Sequence, residues 1–420
     1  MDKFVIHGGK KLTGTVQISG SKNAALPILI AGLLIARGET VIKNVPDLVD
    51  INTVLNLLQY LGVKIEWNKE EHVVALDASN LNRHEAPYDL VRKMRASFLV
   101  MGPLLARLKK ARVSLPGGCV LGPRPIDYHL NAFKMLGAEI IEEKGYVSAL
   151  AKTLKGTVIH FDRPSHTGAE NVMMAACLAK GKTTIINAAC DPEVVDLAKF
   201  LNKSGSKIKG AGFNVVEIEG VKELKPVEFS VMPDRLEAGT FIMAVGITGG
   251  EILLKPRCDS YLSIVIAKLK EAGIDFKAQK NGLKISRNGA LKSINLTTFP
   301  YPGFPTDLQA SVMALCCKAK GASHINETVF AERFTHVMEL IRLGADIKIA
   351  GQEAIITGVN RLKGTSVMAS DIRAGAGLVV AALAASGKSE ILRVYHVDRG
   401  YEHIEIKLSR LGADIKRVGD

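Results

Sequence analysis

The apolar positions of this chain fall into two kinds of stretch that follow one another in a fixed order. Residues 24–37, 97–107, 170–180, 239–247, 308–320 and 375–386 are apolar nearly all round. In a water-soluble fold such a stretch predicts a helix buried on every side. After each comes a glycine, such as Gly38, Gly181, Gly321 or Gly387, suited to a left-handed helix end. A short β-branched run follows, for example Thr40-Val41-Ile42 or Thr183-Thr184-Ile185-Ile186. Residues 50–60 and 194–202 then show the one-sided periodicity of an amphipathic helix, leading into a glycine motif and another strand.

That glycine motif repeats six times: Leu61-Gly62-Val63, Leu136-Gly137-Ala138, Ser204-Gly205-Ser206, Ala272-Gly273-Ile274, Leu343-Gly344-Ala345 and Leu411-Gly412-Ala413. Its glycines are 68 to 75 residues apart. Solenoid repeats are shorter, roughly 20–50 residues, so the period describes a whole α/β subdomain. Six units of one plan, with buried helices and outer sheets, suggest two similar α/β domains of three units each. A length of 420 residues agrees with two or three domains.

Composition is that of a globular protein, 47% hydrophobic and 23% charged. The formal charge of +13 is the unusual quantity. It fits nucleic acid, an anionic membrane or a small multiply charged substrate. Aromatics are only 5% and no basic run is interleaved with them, which speaks against base stacking. The apolar run 24–36 has 13 residues, short of the ~20 that span a bilayer, and no signal-type cleavage site follows it. The six cysteines form no C-x-x-C pair and have no histidine at ligand spacing, so they read as reduced cytoplasmic thiols rather than a zinc site.

The repeats align equivalent positions. Lys22, Arg95, Arg124, Arg333, Arg373 and Arg399 recur near element starts, the second helices opening near Arg124, Glu193, Asp259, Arg333 and Arg399. Any one of these cations alone reads as a solvated surface group. In register they describe an end of each domain that binds phosphate or carboxylate, with helix N–H groups adding to the guanidinium forks. Cys119 lies in Leu115-Pro116-Gly117-Gly118-Cys119-Val120-Leu121-Gly122-Pro123-Arg124, a loop too rich in Gly and Pro for a core. Its neighbouring cation favours a thiolate. The other cysteines weighed, 177, 190, 316 and 317, read as buried and inert. Asp307, in Phe304-Pro305-Thr306-Asp307, is either a helix-capping acid or a lone carboxylate facing cations and therefore a candidate base. His166 and His396 read as structural or peripheral.

Four blocks together resemble one family: Ser21-Lys22-Asn23-Ala24-Ala25-Leu26-Pro27, the Cys119 loop continuing through Pro125-Ile126-Asp127, Phe304-Pro305-Thr306-Asp307, and His396-Val397-Asp398-Arg399-Gly400-Tyr401-Glu402. The chain is similar to UDP-N-acetylglucosamine 1-carboxyvinyltransferases, enolpyruvyl transferases, over residues 3–418. The resemblance implies an inside-out α/β barrel with one domain over 20–231 and a discontinuous one over 1–19 plus 232–420. It implies transfer of the enolpyruvyl group of phosphoenolpyruvate to the 3-OH of UDP-N-acetylglucosamine, the committed step of peptidoglycan synthesis. It implies no metal or organic cofactor, no nucleic acid and no membrane, a cytoplasmic location, and it names no protein partner.

In the family's pattern Cys119 matches the proton donor that can also bond to phosphoenolpyruvate, and Asp307 matches the base. Lys22, Arg124 and Arg399 match contacts to phosphoenolpyruvate, with Arg333 and Arg373 as supporting cations. Asn23, Arg95, the segment Arg124, Pro125, Ile126, Asp127 and Tyr128, Asp307 and Val329 match nucleotide-sugar positions. One block departs: the family commonly has P-S-V-G-A-T-E-N where this chain has Pro164-Ser165-His166-Thr167-Gly168-Ala169-Glu170-Asn171. That segment usually borders the uridine, so the resemblance implies the substrate class without these uracil contacts. Three rivals rank lower: 5-enolpyruvylshikimate-3-phosphate synthase, whose family lacks the P-G-G-C loop, an RNA 3′-phosphate cyclase-like protein, and a non-catalytic nucleotide-sugar sensor.

Overall fold

The computed structural model describes residues 2–92, 94–115 and 126–419. Its contacts divide the chain into a continuous unit, Gly20–Met232, and a discontinuous unit, Met1–Ser19 with Pro233–Asp420. Each unit carries three four-stranded sheets of one topology among the described residues.

In the continuous unit the sheet built on Thr40–Lys43 shows the plan. Val73–Asp77 pairs antiparallel on one side and Lys64–Asn68 antiparallel beyond it, while Glu228–Ser230 adds a parallel strand on the other side. The sheets on Lys110–Ser114 and Lys182–Ile186 repeat this order. In the discontinuous unit, Gly250–Lys255, Ala322–Asn326 and Lys388–Leu392 take the same place. Its N-terminal residues complete two sheets. Leu12–Gln17 lies parallel to Gly250–Lys255, and Lys3–His7 is inserted between Lys388–Leu392 and Asp414–Val418. Lys3–His7 there takes the place that Val73–Asp77 has in the sheet on Thr40–Lys43.

Strand burial alternates, as in Lys182–Ile186 and Val73–Asp77, so each sheet turns one face inward. Against those faces lie the helices that are apolar all round. Arg235–Thr248 is buried from Arg235 to Ile247, and Ile372–Ala384 from Arg373 to Leu383. In the discontinuous unit these two and Gln309–Cys316 pack pairwise.

The six repeated glycine motifs are one physical object. Gly62, Gly137, Gly205, Gly273, Gly344 and Gly412 all have positive φ, from 89° to 105°. In each, the N–H one residue on donates to a carbonyl five residues earlier: Val63 to Leu58, Ala138 to Phe133, Ser206 to Leu201, Ile274 to Leu269, Ala345 to Leu340 and Ala413 to Leu408, at 2.9–3.1 Å. This is a Schellman helix end, which needs a residue tolerant of the left-handed region.

Two expectations shift. The buried helices end before the glycines expected to cap them, at Ala31, Ala176, Cys316 and Ala384. The chain first makes an isolated bridge to a neighbouring segment, for example Lys180 to Lys155 or Ser386 to Lys363, and this pairing takes over its backbone groups before Gly181 and Gly387. Arg333 and Arg399 do not open helices either. Arg333 lies in a run of turns before Val337–Arg342, and Arg399 closes a 3-10 helix, Val394–Arg399, ahead of Ile404–Arg410. No helix among the described residues is long and apolar enough to cross a membrane.

Candidate active site

In the discontinuous unit the candidate residues gather around Asp307. This residue sits in a 3-10 turn, Thr306–Leu308, at the head of Gln309–Cys316. Its Oδ1 lies 2.8 Å from Arg333 Nη1 and its Oδ2 lies 3.2 Å from Arg373 Nε. The carboxylate expected to stand alone before cations is gripped by two of them. Both guanidiniums are buried, each 5% exposed, while the Asp307 side chain is 27% exposed. The open end of the cluster is therefore the carboxylate.

Arg373 holds its place because Asp371 caps its helix, accepting from the N–H groups of Arg373 and Ala374 at 2.9 and 3.0 Å. Burial works against its charge, but Tyr401 and the Asp307 carboxylate outweigh it, and the guanidinium is raised above its ordinary value. Tyr401 is itself fully buried, shares a 2.9 Å hydrogen bond with Thr240, and is raised by that burial.

Arg333 donates to Thr306 Oγ1 at 2.9 Å, and that hydroxyl donates to Glu327 Oε2 at 2.9 Å. The other oxygen of Glu327 accepts from the N–H groups of Val329 and Phe330, both at 2.9 Å. Glu327 thus fixes the backbone at Val329 and, through Thr306, the Arg333–Asp307 pair. Nothing in the sequence marked it: an isolated Glu in a strand-to-loop turn reads as solvated, whereas here it has no exposed surface. Arg399 is half-buried. The preceding Asp398 is anchored by a two-point contact with Arg417, at 2.5 and 2.9 Å.

In the continuous unit Lys22 opens Lys22–Ala31, capped by Ser21. Its ammonium is 3.1 Å from Asp50 Oδ2, and both side chains are under 10% exposed. Asn23 beside it is half-buried. Arg95 opens the 3-10 helix Arg95–Val100. Its charge adds to burial, the larger cause, in pushing His129 down to about 4. His129 is neutral at pH 7 and accepts on Nδ1 from the Asn171 amide at 2.9 Å. Ile126 precedes the helix Asp127–Met135. Asp127 and Tyr128 line a cleft of about 230 Å³ with Asn131, His160, Phe161 and Asp162. The Tyr128 and Phe161 rings meet edge to face at 5.6 Å. Cys119, Arg124 and Pro125 lie outside the described residues.

The other thiols behave as buried groups. Burial raises Cys177 and Cys258 to about 12 and Cys316 to about 11, and it raises Cys317 as well. Cys190, half-buried rather than buried, is also raised. None of the five is poised as a thiolate nucleophile. Taken together, each unit holds a buried cation against a carboxylate, Lys22 on Asp50 in one and Arg333 and Arg373 on Asp307 in the other, and of the two carboxylates Asp307 is the more exposed. Such an arrangement can bind phosphate or carboxylate and accept a proton from a hydroxyl.

The family model described as EPSP synthase (3-phosphoshikimate 1-carboxyvinyltransferase) matches residues 6–408. The chain is 52% identical over 418 residues to the UDP-N-acetylglucosamine 1-carboxyvinyltransferase of Desulfatibacillum aliphaticivorans and 53% identical over 418 residues to that of Geobacter metallireducens, covering 100% of both chains in each case. Among solved structures it resembles the enolpyruvyl transferase NikO from Streptomyces tendae, with a TM-score of 0.90 at 24% identity over 99% of each chain. It also resembles EPSP synthase from Acinetobacter baumannii, with a TM-score of 0.79 at 20% identity over 100% of each chain. These two likenesses show the fold, the inside-out α/β barrel that the family resemblance implied.

Proposed function

The chain belongs to the UDP-N-acetylglucosamine 1-carboxyvinyltransferase family of enolpyruvyl transferases, and from that premise we propose that it transfers the enolpyruvyl group of phosphoenolpyruvate to the 3-OH of UDP-N-acetylglucosamine, releasing phosphate. The reaction is the committed step of peptidoglycan synthesis and has its place in the cytoplasm. The observation that carries the site assignment is Asp307 held between Arg333 and Arg373 with its carboxylate exposed.

In this reading Asp307 accepts the proton of the sugar 3-OH as that oxygen attacks C2 of the enolpyruvate. Cys119 protonates C3, and phosphate leaves from the tetrahedral adduct as the C2–C3 double bond re-forms with loss of the C3 proton. Lys22, Arg124 and Arg399 bind the phosphate and carboxylate, with Arg333 and Arg373 supporting them. Anionic substrate groups compete for the two guanidiniums now on Asp307 and so release its carboxylate for proton transfer. Asn23, Arg95, Arg124, Pro125, Ile126, Asp127, Tyr128, Asp307 and Val329 contact the nucleotide sugar. The cleft that Asp127, Tyr128 and Phe161 line offers two aromatic rings beside polar side chains, a setting that suits a nucleotide base.

Phosphate release from phosphoenolpyruvate, measured with UDP-N-acetylglucosamine and separately with shikimate 3-phosphate, tests the proposal. Release with the nucleotide sugar alone is expected. Release only with shikimate 3-phosphate moves the chain to the sister reaction, and release with neither removes the reading. An epoxide mimic of phosphoenolpyruvate such as fosfomycin is expected to alkylate Cys119 and to spare a Cys119→Asp variant, followed by mass spectrometry of the labelled peptide. Equal inhibition of both proteins would place the target elsewhere.

A further inference from the structure

One guanidinium outside the candidate site touches both ends of the segment that carries Arg399. Arg417 lies on the last strand, Asp414–Val418, directly opposite Phe4 of Lys3–His7. Its guanidinium rests over the Phe4 ring at 4.9 Å. Nη1 and Nη2 donate to the two oxygens of Asp398 at 2.9 and 2.5 Å, and Nε donates to Glu405 Oε1 at 2.9 Å. Nη1 also reaches Asp2 Oδ2 at 3.4 Å. Asp398 is in the 3-10 helix Val394–Arg399, and Glu405 is in the first turn of Ile404–Arg410. All of these residues belong to the discontinuous unit. We propose that Arg417 is a positioning residue for enolpyruvyl transfer, which fixes Arg399 by fastening both ends of the segment 398–405.

The segment needs such a tie because its own backbone supplies little. It joins a 3-10 helix to a short α-helix and belongs to no strand. His403 within it is left-handed, with φ of 46°, a conformation that strains any residue carrying a Cβ. The position of the segment matters on its inner side. A Cβ at Gly400 would come within 2.4 Å of Ile372 Cγ2 and 3.7 Å of Arg373 Nη1, so the backbone next to Arg399 lies against the start of the helix that carries Arg373. Tyr401 is fully buried, and the Arg373 guanidinium lies over its ring at 5.4 Å. A displacement of Asp398 is thus passed to Arg399 first and to Arg373 beyond it.

The task calls for an arginine. A planar fork meets both oxygens of Asp398 while its Nε points to Glu405, whereas an ammonium is a single point of charge that cannot span the two carboxylates. The Asp398 hydrogen bond, the largest cause, and Glu405 hold the guanidinium above its ordinary value against the burial that would lower it. Of the two oxygens of Glu405, Oε2 is buried without a hydrogen-bond partner, so the tie at that end rests on Oε1. Arg417 acts through Asp398 rather than on a reacting atom, and the inference rests on the reading of Arg399 as a contact to phosphoenolpyruvate.

Steady-state kinetics of the full chain provide the test, with Arg417→Lys and Asp398→Asn measured beside Arg399→Lys. Arg417→Lys is expected to lower kcat/KM for phosphoenolpyruvate ~10–100-fold, mainly through KM, the scale of loss that follows from misplacing a substrate-positioning group. Affinity for UDP-N-acetylglucosamine, read by calorimetric titration, is expected to stay unchanged. Asp398→Asn is expected to give the same selective loss, and the double variant to lose no more than the worse of the two. Circular dichroism shows whether each variant is folded; Asp398→Asn, at a partly exposed position, carries the test if Arg417→Lys is not. A merely structural tie would lower the folded fraction and weaken both substrates alike, and that result overturns the proposal. Wild-type KM in Arg417→Lys and Asp398→Asn, with KM raised in Arg399→Lys, overturns it alone. An unchanged KM in Arg399→Lys removes the reading of Arg399 itself, and the inference with it.

Discussion

The two units have the same architecture, yet they bring their central helices together in opposite ways. In the discontinuous unit the approach depends on missing side chains. A Cβ at Gly377 would come within 2.8 Å of the Ala310 backbone, and one at Gly246 within 2.9 Å of Leu315 Cδ1. In the continuous unit Gly102 also permits close approach, but a buried amide fills the gap. The Gly102 N–H donates to Asn171 Oδ1 at 2.9 Å, and the same amide donates to His129 Nδ1 at 2.9 Å. At these contacts one pair of helices meets through glycines alone, while the other is pinned by the hydrogen bonds of a buried amide. Repeated architecture therefore does not dictate one solution, and the polar solution makes its helix contact sensitive to single polar substitutions.

The largest expected difference is catalytic and lies in the discontinuous unit. Asp307→Asn keeps the shape of the Arg333–Asp307–Arg373 cluster but removes the proposed base. We expect kcat to fall ~10²–10⁴-fold, roughly 3–5 kcal/mol of barrier, with little change in nucleotide-sugar affinity. Asp127→Asn, in the continuous unit's cleft, is expected to raise KM with kcat nearly unchanged. Steady-state kinetics and calorimetric titration of the nucleotide sugar read both. An unchanged kcat in Asp307→Asn would remove the residue as base.

The second difference is in pH. His129 is pushed down to about 4 in the folded chain, first by burial and then by the Arg95 charge. The unfolded chain binds this proton near its ordinary value of about 6.5 and the folded chain does not, so stability is fully present above about 6.5 and is lost as pH falls toward 4. The loss is on the order of 3 kcal/mol for a shift of this size. His336 in the discontinuous unit is also pushed to about 4 by burial, so both units contribute. Denaturant unfolding between pH 7 and 4 of the wild type and of His129→Asn separates them. The variant is expected to lose part of the slope, and an identical slope would show that His129 does not titrate with folding.

How much of this was legible in the sequence follows from what is local. The six glycine corners, the buried helices and the strands after them are local patterns, and the chain announces them through period and φ requirement. Pairing between distant segments is not: Glu228–Ser230 beside Thr40–Lys43, or Lys3–His7 inside the last sheet, leaves no mark on either segment's own periodicity. The candidate cations and Asp307 could be singled out from their places near element starts, although Arg333 and Arg399 open no helix. Glu327 could not, because its importance lies in accepting from two N–H groups and a hydroxyl that only the folded chain assembles. His166 was visible as a departure from a pattern, but of its carboxylate neighbours only Glu170 lies on its own helix, and Asp191 comes from the start of the next.

The polar pin itself can be broken. Asn171→Leu removes one acceptor and one donor at a fully buried position and leaves the Gly102 N–H and His129 Nδ1 without it. We expect a loss of about 3 kcal/mol, since each unsatisfied buried group costs ~1–3 kcal/mol. Gly377→Ala in the discontinuous unit places a methyl against Ala310 and is expected to cost about 2 kcal/mol through overpacking. Thermal unfolding in the two backgrounds compares them. The distinction between an amide-pinned and a glycine-mediated helix contact predicts further that acid changes the cost of Gly377→Ala less than that of Asn171→Leu.

The smallest expected effect comes from the feature the two units share. All six corners need positive φ, but their surroundings differ. A Cβ at Gly62 would come within 2.6 Å of the Asn80 carbonyl, whereas Gly205 has nothing within 4 Å. Gly205→Ala therefore bears only the left-handed strain, about 1 kcal/mol, partly offset by a stiffer unfolded chain. Gly62→Ala bears the same strain and a clash with backbone that cannot move aside, and its cost should exceed that of Gly205→Ala. Gly412 in the discontinuous unit, whose nearest neighbour is the Lys11 carbonyl at 3.7 Å, should behave like Gly205. Equal losses at Gly62 and Gly205 would mean that the corner relaxes as a unit. A smaller loss at Gly62 would contradict the geometry outright. The expected order makes the repeated glycine a requirement of backbone conformation at every corner, and of space only where a neighbouring turn closes over it.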